Sequence, residues 1–170
     1  MGPAQAIRTG FAKSFQFSGR ASRPEFWWFA PFGFVPPLIG GLQMSWFNMD
    51  FWGIWRVAVL IMLSLPLLAA MSRRLQDVGE SGQDALYPFM PFVTLWVGYQ
   101  AVYWFIVGAV AVLGGIALLV AWIALVLFIP LYLFAIIVSL NLAATVIGTM
   151  IISSTPGSNR YGPNPLEVTP

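Results

Sequence analysis

ALYPFMPFVTLWVGYQAVYWFIVGAVAVLGGIALLVAWIALVLFIPLYLFAIIVSLNLAATVIGTMII, residues 85–152, contains no Asp, Glu, Lys or Arg. An apolar run of about 20 residues crosses a bilayer as a helix, so a run this long decides the class of the protein. Drawn out as helix it would reach roughly 100 Å at about 1.5 Å per residue. Two crossings of a roughly 30 Å hydrocarbon core leave about 40 Å of apolar helix over. Three crossings joined by tight turns fit the length better. Trp96, Tyr99, Tyr103 and Trp104 read as an aromatic rim closing the first of the three. Gly114-Gly115 and Pro130 are weaker punctuation after it.

Upstream, a span is expected over residues 26–46, kinked by Pro31, Pro36, Pro37 and Gly40-Gly41, because proline removes a helical donor. Such a break either packs plainly or lines a substrate path. WFNMDFWGIW, residues 46–55, groups aromatics around Asn48 and Asp50 and reads as a hairpin at the far interface. A second span follows over 52–71, with Arg56 near enough to its end to snorkel. The expected fold is therefore an all-α polytopic transmembrane helical bundle with five spans, or four long tilted ones as the alternative.

Composition agrees. Of 170 residues 59% are hydrophobic and 8% charged, against about 25% charged in a soluble domain. Cysteine and histidine are both absent, which removes disulfides, thiolate nucleophiles, Cys/His zinc sites and the usual general base. No cleavable signal is expected, since residues 1–25 lack the apolar core one needs. Three regions result: a basic amphipathic segment 1–25, a helical domain 26–152 with a polar loop at 72–84, and a Pro/Gly-rich tail 153–170. Ala4, Ile7, Phe11 and Phe15 form one helical stripe. That stripe either lies in the membrane surface or packs on the protein itself.

Charge is confined to the edges. FQFSGRASRPEFWWF, residues 15–29, sets Arg20, Arg23 and Glu25 directly before a wall of aromatics, and Arg73 and Arg74 follow the second span. The Lys/Arg-rich segments belong in the cytoplasm, so both clusters meet at one interface, with the N-terminus cytoplasmic. Five spans then put the tail outside and four put it inside. Arginines there are candidate lipid-headgroup or partner contacts, together with Asp77 and the tail residues Asn159, Arg160 and Tyr161. An unpaired Glu25 is costly at that depth, which calls for a link to Arg23, Arg73 or Arg74. Asp77, Glu80 and Asp84 sit on a short loop with nothing to desolvate them, so no catalytic site is read there and no metal site. Within the spans, Gly114, Gly115, Ser139, Asn141 and Thr145 are candidate helix-packing positions.

FSGRASRPEFWWF, RRLQDVGESG and PGSNRYGPNP, in that order, resemble the small bacterial inner-membrane proteins of the YhaH type, the domain of unknown function 805. The resemblance implies a bacterial inner-membrane location and a family without an established biochemical activity. It also marks departures: the family usually has histidine where this chain has Gln76, and a tryptophan pair where Gln83-Asp84 follow Ser81-Gly82. Members commonly have about three spans, and two added spans would keep the tail on the same side as in them.

The expected function is that of a non-enzymatic accessory or structural subunit, packed against other integral membrane proteins or a second copy of itself. The alternative is a transporter or lipid-handling protein using the arginine clusters and a Pro-broken first helix. Membrane lipids are expected partners and nucleic acid is not, since the net charge is only +2. No cofactor is indicated, although a lipid, carotenoid or quinone would leave no signature.

Overall fold

A computed structural model describes residues 2–42 and 51–167. Among them every named element is helical: α1 (Pro3–Ala12), α2 (Arg23–Leu42), α3 (Phe51–Asp77), a 3-10 helix (Gly82–Phe89), α4 (Met90–Leu113), a 3-10 turn (Gly114–Ile116) and α5 (Ala117–Ile151). The hairpin expected over 46–55 lies largely outside the described residues. By length and composition, three described segments could cross a membrane: Ala58–Asp77, Gly82–Leu113 and Trp122–Ile151.

Two compact units form, Met1–Leu86 with Val146–Pro170, and Tyr87–Thr145. In the first unit, Ser22 opens α2. Its Oγ accepts from the Glu25 backbone N–H at 3.5 Å, and its carbonyl accepts the Phe26 N–H at 3.0 Å. Ser22-Arg23-Pro24-Glu25 thus has the spacing of a capping box, with proline inside the first turn. Helical periodicity then sorts the aromatics. Phe26, Phe29 and Ala30 are buried, whereas Trp27 and Trp28 face outward. Pro31, Pro36 and Pro37 all lie within α2. Gly33 lets it approach α3, where an added Cβ would lie 3.1 Å from the Leu67 Cβ.

α1 packs on α2 through its small residues. Ala6 and Gly10 are buried, and the Phe11 ring meets Phe29 edge-on at 5.2 Å. Of the two readings of the Ala4–Phe15 stripe, packing on the protein is not the one its large residues follow: Phe11 and Phe15 remain 53% and 77% exposed. In an apolar solvent small residues allow backbones to approach, and large apolar ones are free to face out.

In the second unit α4 and α5 form a helical hairpin. Tyr132 Oη donates to the Leu95 carbonyl at 2.9 Å, and the Tyr132 ring lies against Gly98. Gly98 and Tyr132 stand 17 residues before and after Gly115, as antiparallel pairing requires. Three crossings over 85–152 are not what forms; the block makes two long helices. Residues 117–147 hold no glycine and one proline, Pro130, so nothing in α5 offers a turn. Its 35 residues extend roughly 52 Å at about 1.5 Å each. Trp96 to Trp104 lie inside α4 rather than at its end. Gly114, with φ 57°, makes the turn and is not a packing contact.

The tight α1–α2 contact makes a prediction. A Cβ on Gly10 would sit 2.2 Å from the Phe29 ring, and Phe29 is fully buried. Gly10→Val should destabilise the first unit by about 1–3 kcal/mol, as overpacking does. The check is a thermal melt of the detergent-solubilised protein, with Gly108→Ala, whose Cβ meets nothing within 4 Å, expected to melt like the parent.

Candidate functional site

The polar clusters at the ends of the chain close on one buried carboxylate. Asp77, the last residue of α3, is fully buried. Its Oδ1 accepts from Arg20 Nε at 2.8 Å, and its Oδ2 accepts from Arg74 Nη1 and Ser154 Oγ. The Asp77 carbonyl accepts from Thr155 N at 3.2 Å and Thr155 Oγ1 at 2.9 Å. N-terminal motif, central loop and tail therefore meet at a single residue.

Arg20 reaches onward from that carboxylate into the tail. Its Nη1 donates to the Gly157 carbonyl at 2.7 Å and the Gly162 carbonyl at 3.3 Å, and its Nη2 to the Thr155 carbonyl at 2.6 Å. The tail is shaped to receive it. Asn159 and Gly162 exchange backbone hydrogen bonds at 3.0 Å, and Asn159 Oδ1 accepts from the Tyr161 N–H at 2.9 Å, an Asx turn. Gly162 has φ 129°, a conformation that suits glycine. Asn159 Nδ2 also donates to the Gln76 carbonyl at 2.9 Å. Arg160 stays exposed, donating to the Gly79 carbonyl at 3.3 Å and lying 4.7 Å over the Tyr161 ring.

Arg74 serves a different end. Its Nε donates to the Met150 carbonyl at 2.9 Å, and its Nη2 to the Ile152 carbonyl. Those are carbonyls at the end of α5 and of the residue just past it, and the last turn of α5 holds no basic residue. A guanidinium from α3 thus caps another helix where the negative dipole end needs a cation. Arg23 adds a 3.4 Å contact to the Ile151 carbonyl from the exposed side.

α3 itself stops in a Schellman arrangement. Glu80 N bonds the Leu75 carbonyl at 3.0 Å and Gly79 N bonds the Gln76 carbonyl at 3.2 Å, with Gly79 at φ 93°. The link required of Glu25 is present: Arg73 Nη1 donates to Glu25 Oε1 at 2.8 Å, both side chains buried. Arg73 Nη2 is buried without a hydrogen-bond partner among the described residues.

The arginines are therefore not laid out on the surface for headgroups. Arg20, Arg73 and Arg74 are 8%, 1% and 0% exposed, and each is engaged within the protein. Arg23 alone of that group is exposed. The helix-packing candidates are not brought to this site. Ser139 Oγ and Thr145 Oγ1 bond back to the Ile136 and Asn141 carbonyls of their own helix, and Asn141 is exposed. For Gly115 only its place in the 3-10 turn is described. Ser154, Thr155 and the close-approach glycine, Gly98, were not singled out in the sequence. Hydroxyls in the short run Ser153-Ser154-Thr155, or one glycine among many, carry no periodic pattern to find them by.

The family described as "Protein of unknown function (DUF805)" matches residues 14–125. The chain belongs to that family. The DUF805 match takes in the Arg20 and Asp77 motifs and stops before the tail that completes their cluster. Inner membrane protein YhaI of Escherichia coli K12 is 36% identical over 84 residues, 45% of this chain and 64% of the relative. The protein of the same name from strain O157:H7 gives the same figures. The chain thus covers just under two thirds of the curated relatives it matches. No solved structure matches. With its apolar helices and this membership, the chain is a membrane protein of a family of unknown function.

Two measurements follow from the cluster. Asp77→Asn leaves two buried guanidinium groups with no carboxylate, and should cost about 3–5 kcal/mol, as breaking a buried pair does. Limited proteolysis should then cut the tail in the variant and spare it in the parent. A double-mutant cycle with Glu25→Gln and Arg73→Met should give a coupling energy above about 0.5 kcal/mol, the lower end for residues in contact.

Proposed function

We propose that this protein is a non-enzymatic integral protein of the bacterial inner membrane, acting as a small accessory or structural subunit beside other membrane proteins. The observation that carries this reading is the occupancy of Asp77. Both of its oxygens are taken by Arg20, Arg74 and Ser154, so its charge holds the fold together and is not free for acid–base work. The location is supported by the name of the Escherichia coli relative and by the three membrane-length segments. A stoichiometric partner found by mass spectrometry after purification in mild detergent supports the subunit reading. Recovery of the protein alone, as a monomer, rejects it.

The topology proposed with it is an even number of crossings, the three membrane-length segments together with α2, which holds most of the span expected over 26–46, with both ends cytoplasmic. Its support is that Arg20, Asp77 and Thr155 share one hydrogen-bonded cluster, so the segments before α2, after α3 and after α5 lie on one side. An odd count, such as five, would part the tail from the other two. The exposed basic residues Arg8, Arg23 and Arg160 support a cytoplasmic location for that side. The chain has no cysteine, so Gly2→Cys and Leu166→Cys report cleanly. An impermeant maleimide should label neither in intact spheroplasts and both after lysis; labelling of one alone defeats the topology.

A further inference from the structure

The second half of α5 carries two seams on opposite sides. Ser139, Ala143, Val146 and Met150 are buried, at spacings of four, three and four, and mark the face that is covered within the chain. On the other side Phe134, Ile137, Asn141, Ala144, Gly148 and Ile151 are all exposed, at spacings of three, four, three, four and three. That is the a/d pattern of a helix that supercoils with another helix. Asn141 follows Ser139 by two residues, about 200° round an α-helix, so it points away from the covered face.

Asn141 is out of place there. The Met150 carbonyl meets Arg74 at 2.9 Å, so α5 reaches the polar edge at that level. Asn141 lies nine residues earlier, roughly 14 Å at about 1.5 Å per residue, near the middle of a roughly 30 Å hydrocarbon core. The hydroxyls of this stretch are satisfied inside their own helix: Ser139, Thr145 and Thr149 donate to the Ile136, Asn141 and Val146 carbonyls. The Asn141 side-chain amide has no hydrogen-bond partner among the described residues. Acyl chains would cover the apolar members of the seam and leave the amide bare, which is costly. Polar groups within a membrane almost always face another helix instead.

The amide also says which helix. It donates and accepts at once, so two asparagines satisfy each other. Two copies inserted in the same sense carry Asn141 at the same depth without adjustment, and a single asparagine at an a position fixes a parallel pair in register. Ala144 and Gly148 let the backbones approach; a Cβ on Gly148 would meet nothing within 4 Å.

We propose that the protein forms a parallel two-fold dimer through this seam of α5, with the two Asn141 amides hydrogen-bonded to each other near the bilayer midplane. The dimer deepens the subunit reading and rests on it only in that α5 crosses the membrane. A monomer here with a stoichiometric foreign partner there would sink the dimer and spare that reading.

The test is disulfide cross-linking of the full chain in inner-membrane vesicles of the expressing bacterium, where every copy has the same orientation. The chain has no cysteine, so single substitutions report directly. Ala144→Cys lies on the seam, and Leu142→Cys is exposed on the same helix but off it. Oxidation with copper phenanthroline should link Ala144→Cys into a dimer of twice the chain mass, several-fold more than Leu142→Cys. Adding Asn141→Leu should cut the Ala144→Cys yield several-fold, and Asn141→Gln, which keeps an amide, should cut it less. Limited proteolysis of the tail should be the same with and without Asn141→Leu; lost protection would make the amide a part of the fold and overturn the proposal. Equal yields at the two positions overturn it, as do a yield unmoved by Asn141→Leu and links to other proteins alone.

Discussion

A carboxylate removed from water must be matched by cations and donors, and in this protein everything near the chain ends is arranged around that requirement at Asp77. Two guanidinium groups and a hydroxyl satisfy its oxygens. The pairs do not balance completely: Arg20, Arg73 and Arg74 face Glu25 and Asp77, leaving one positive charge over. The excess is answered by oriented dipoles. The last carbonyls of α5 take Arg74, and the tail carbonyls take Arg20. Helix ends carry about half an elementary charge, so partial charges from the backbone stand in for a missing carboxylate.

That arrangement explains why the tail is ordered despite its composition. Prolines and glycines preclude a helix there, and such segments are normally mobile. Here the turn at Asn159 and Gly162 closes on itself, and the tail presents carbonyls to the Arg20 nitrogens that the Asp77 carboxylate does not take. Burying a charge is unfavourable unless it is well hydrogen-bonded, and the tail supplies the carbonyls and the hydroxyl that satisfy the buried Arg20 and Asp77 side chains.

The sequence made some of this legible and not the rest, for physical reasons. Charges in an apolar chain are few and expensive, so Arg20, Glu25, Arg73 and Asp77 could be picked out, and a partner for Glu25 could be demanded before its geometry was known. The helical class was equally plain in residues 85–152. The number of helices in that block was not, because length constrains the count only if the helices are of standard length, and α5 is not. Nor was the orientation of α1. The stripe of Ala4, Ile7, Phe11 and Phe15 was open to either a membrane-surface or a protein-packed reading, and the residues that α1 buries are Ala6 and Gly10. In a lipid environment apolarity no longer says which face is inside, and close backbone approach does. The tail's location was open for the same reason: its side depended on the helix count, and the hydroxyls that anchor it carry no periodic signal.

Arg74 has a consequence for how the protein is made. The carbonyls it caps belong to residues 150 and 152, and the hydroxyl that shares its carboxylate belongs to residue 154. All three leave the ribosome long after α3 has been delivered to the membrane. During that interval Arg74 has Asp77 for company but no helix end to cap, and Arg20 has no tail. The cluster is completed only by the last part of the described chain to be synthesised. A chain cut short before residue 150 would keep its long apolar helices and yet present unsatisfied guanidinium groups at the bilayer edge. Completeness of the described chain is thus written into the electrostatics of the fold.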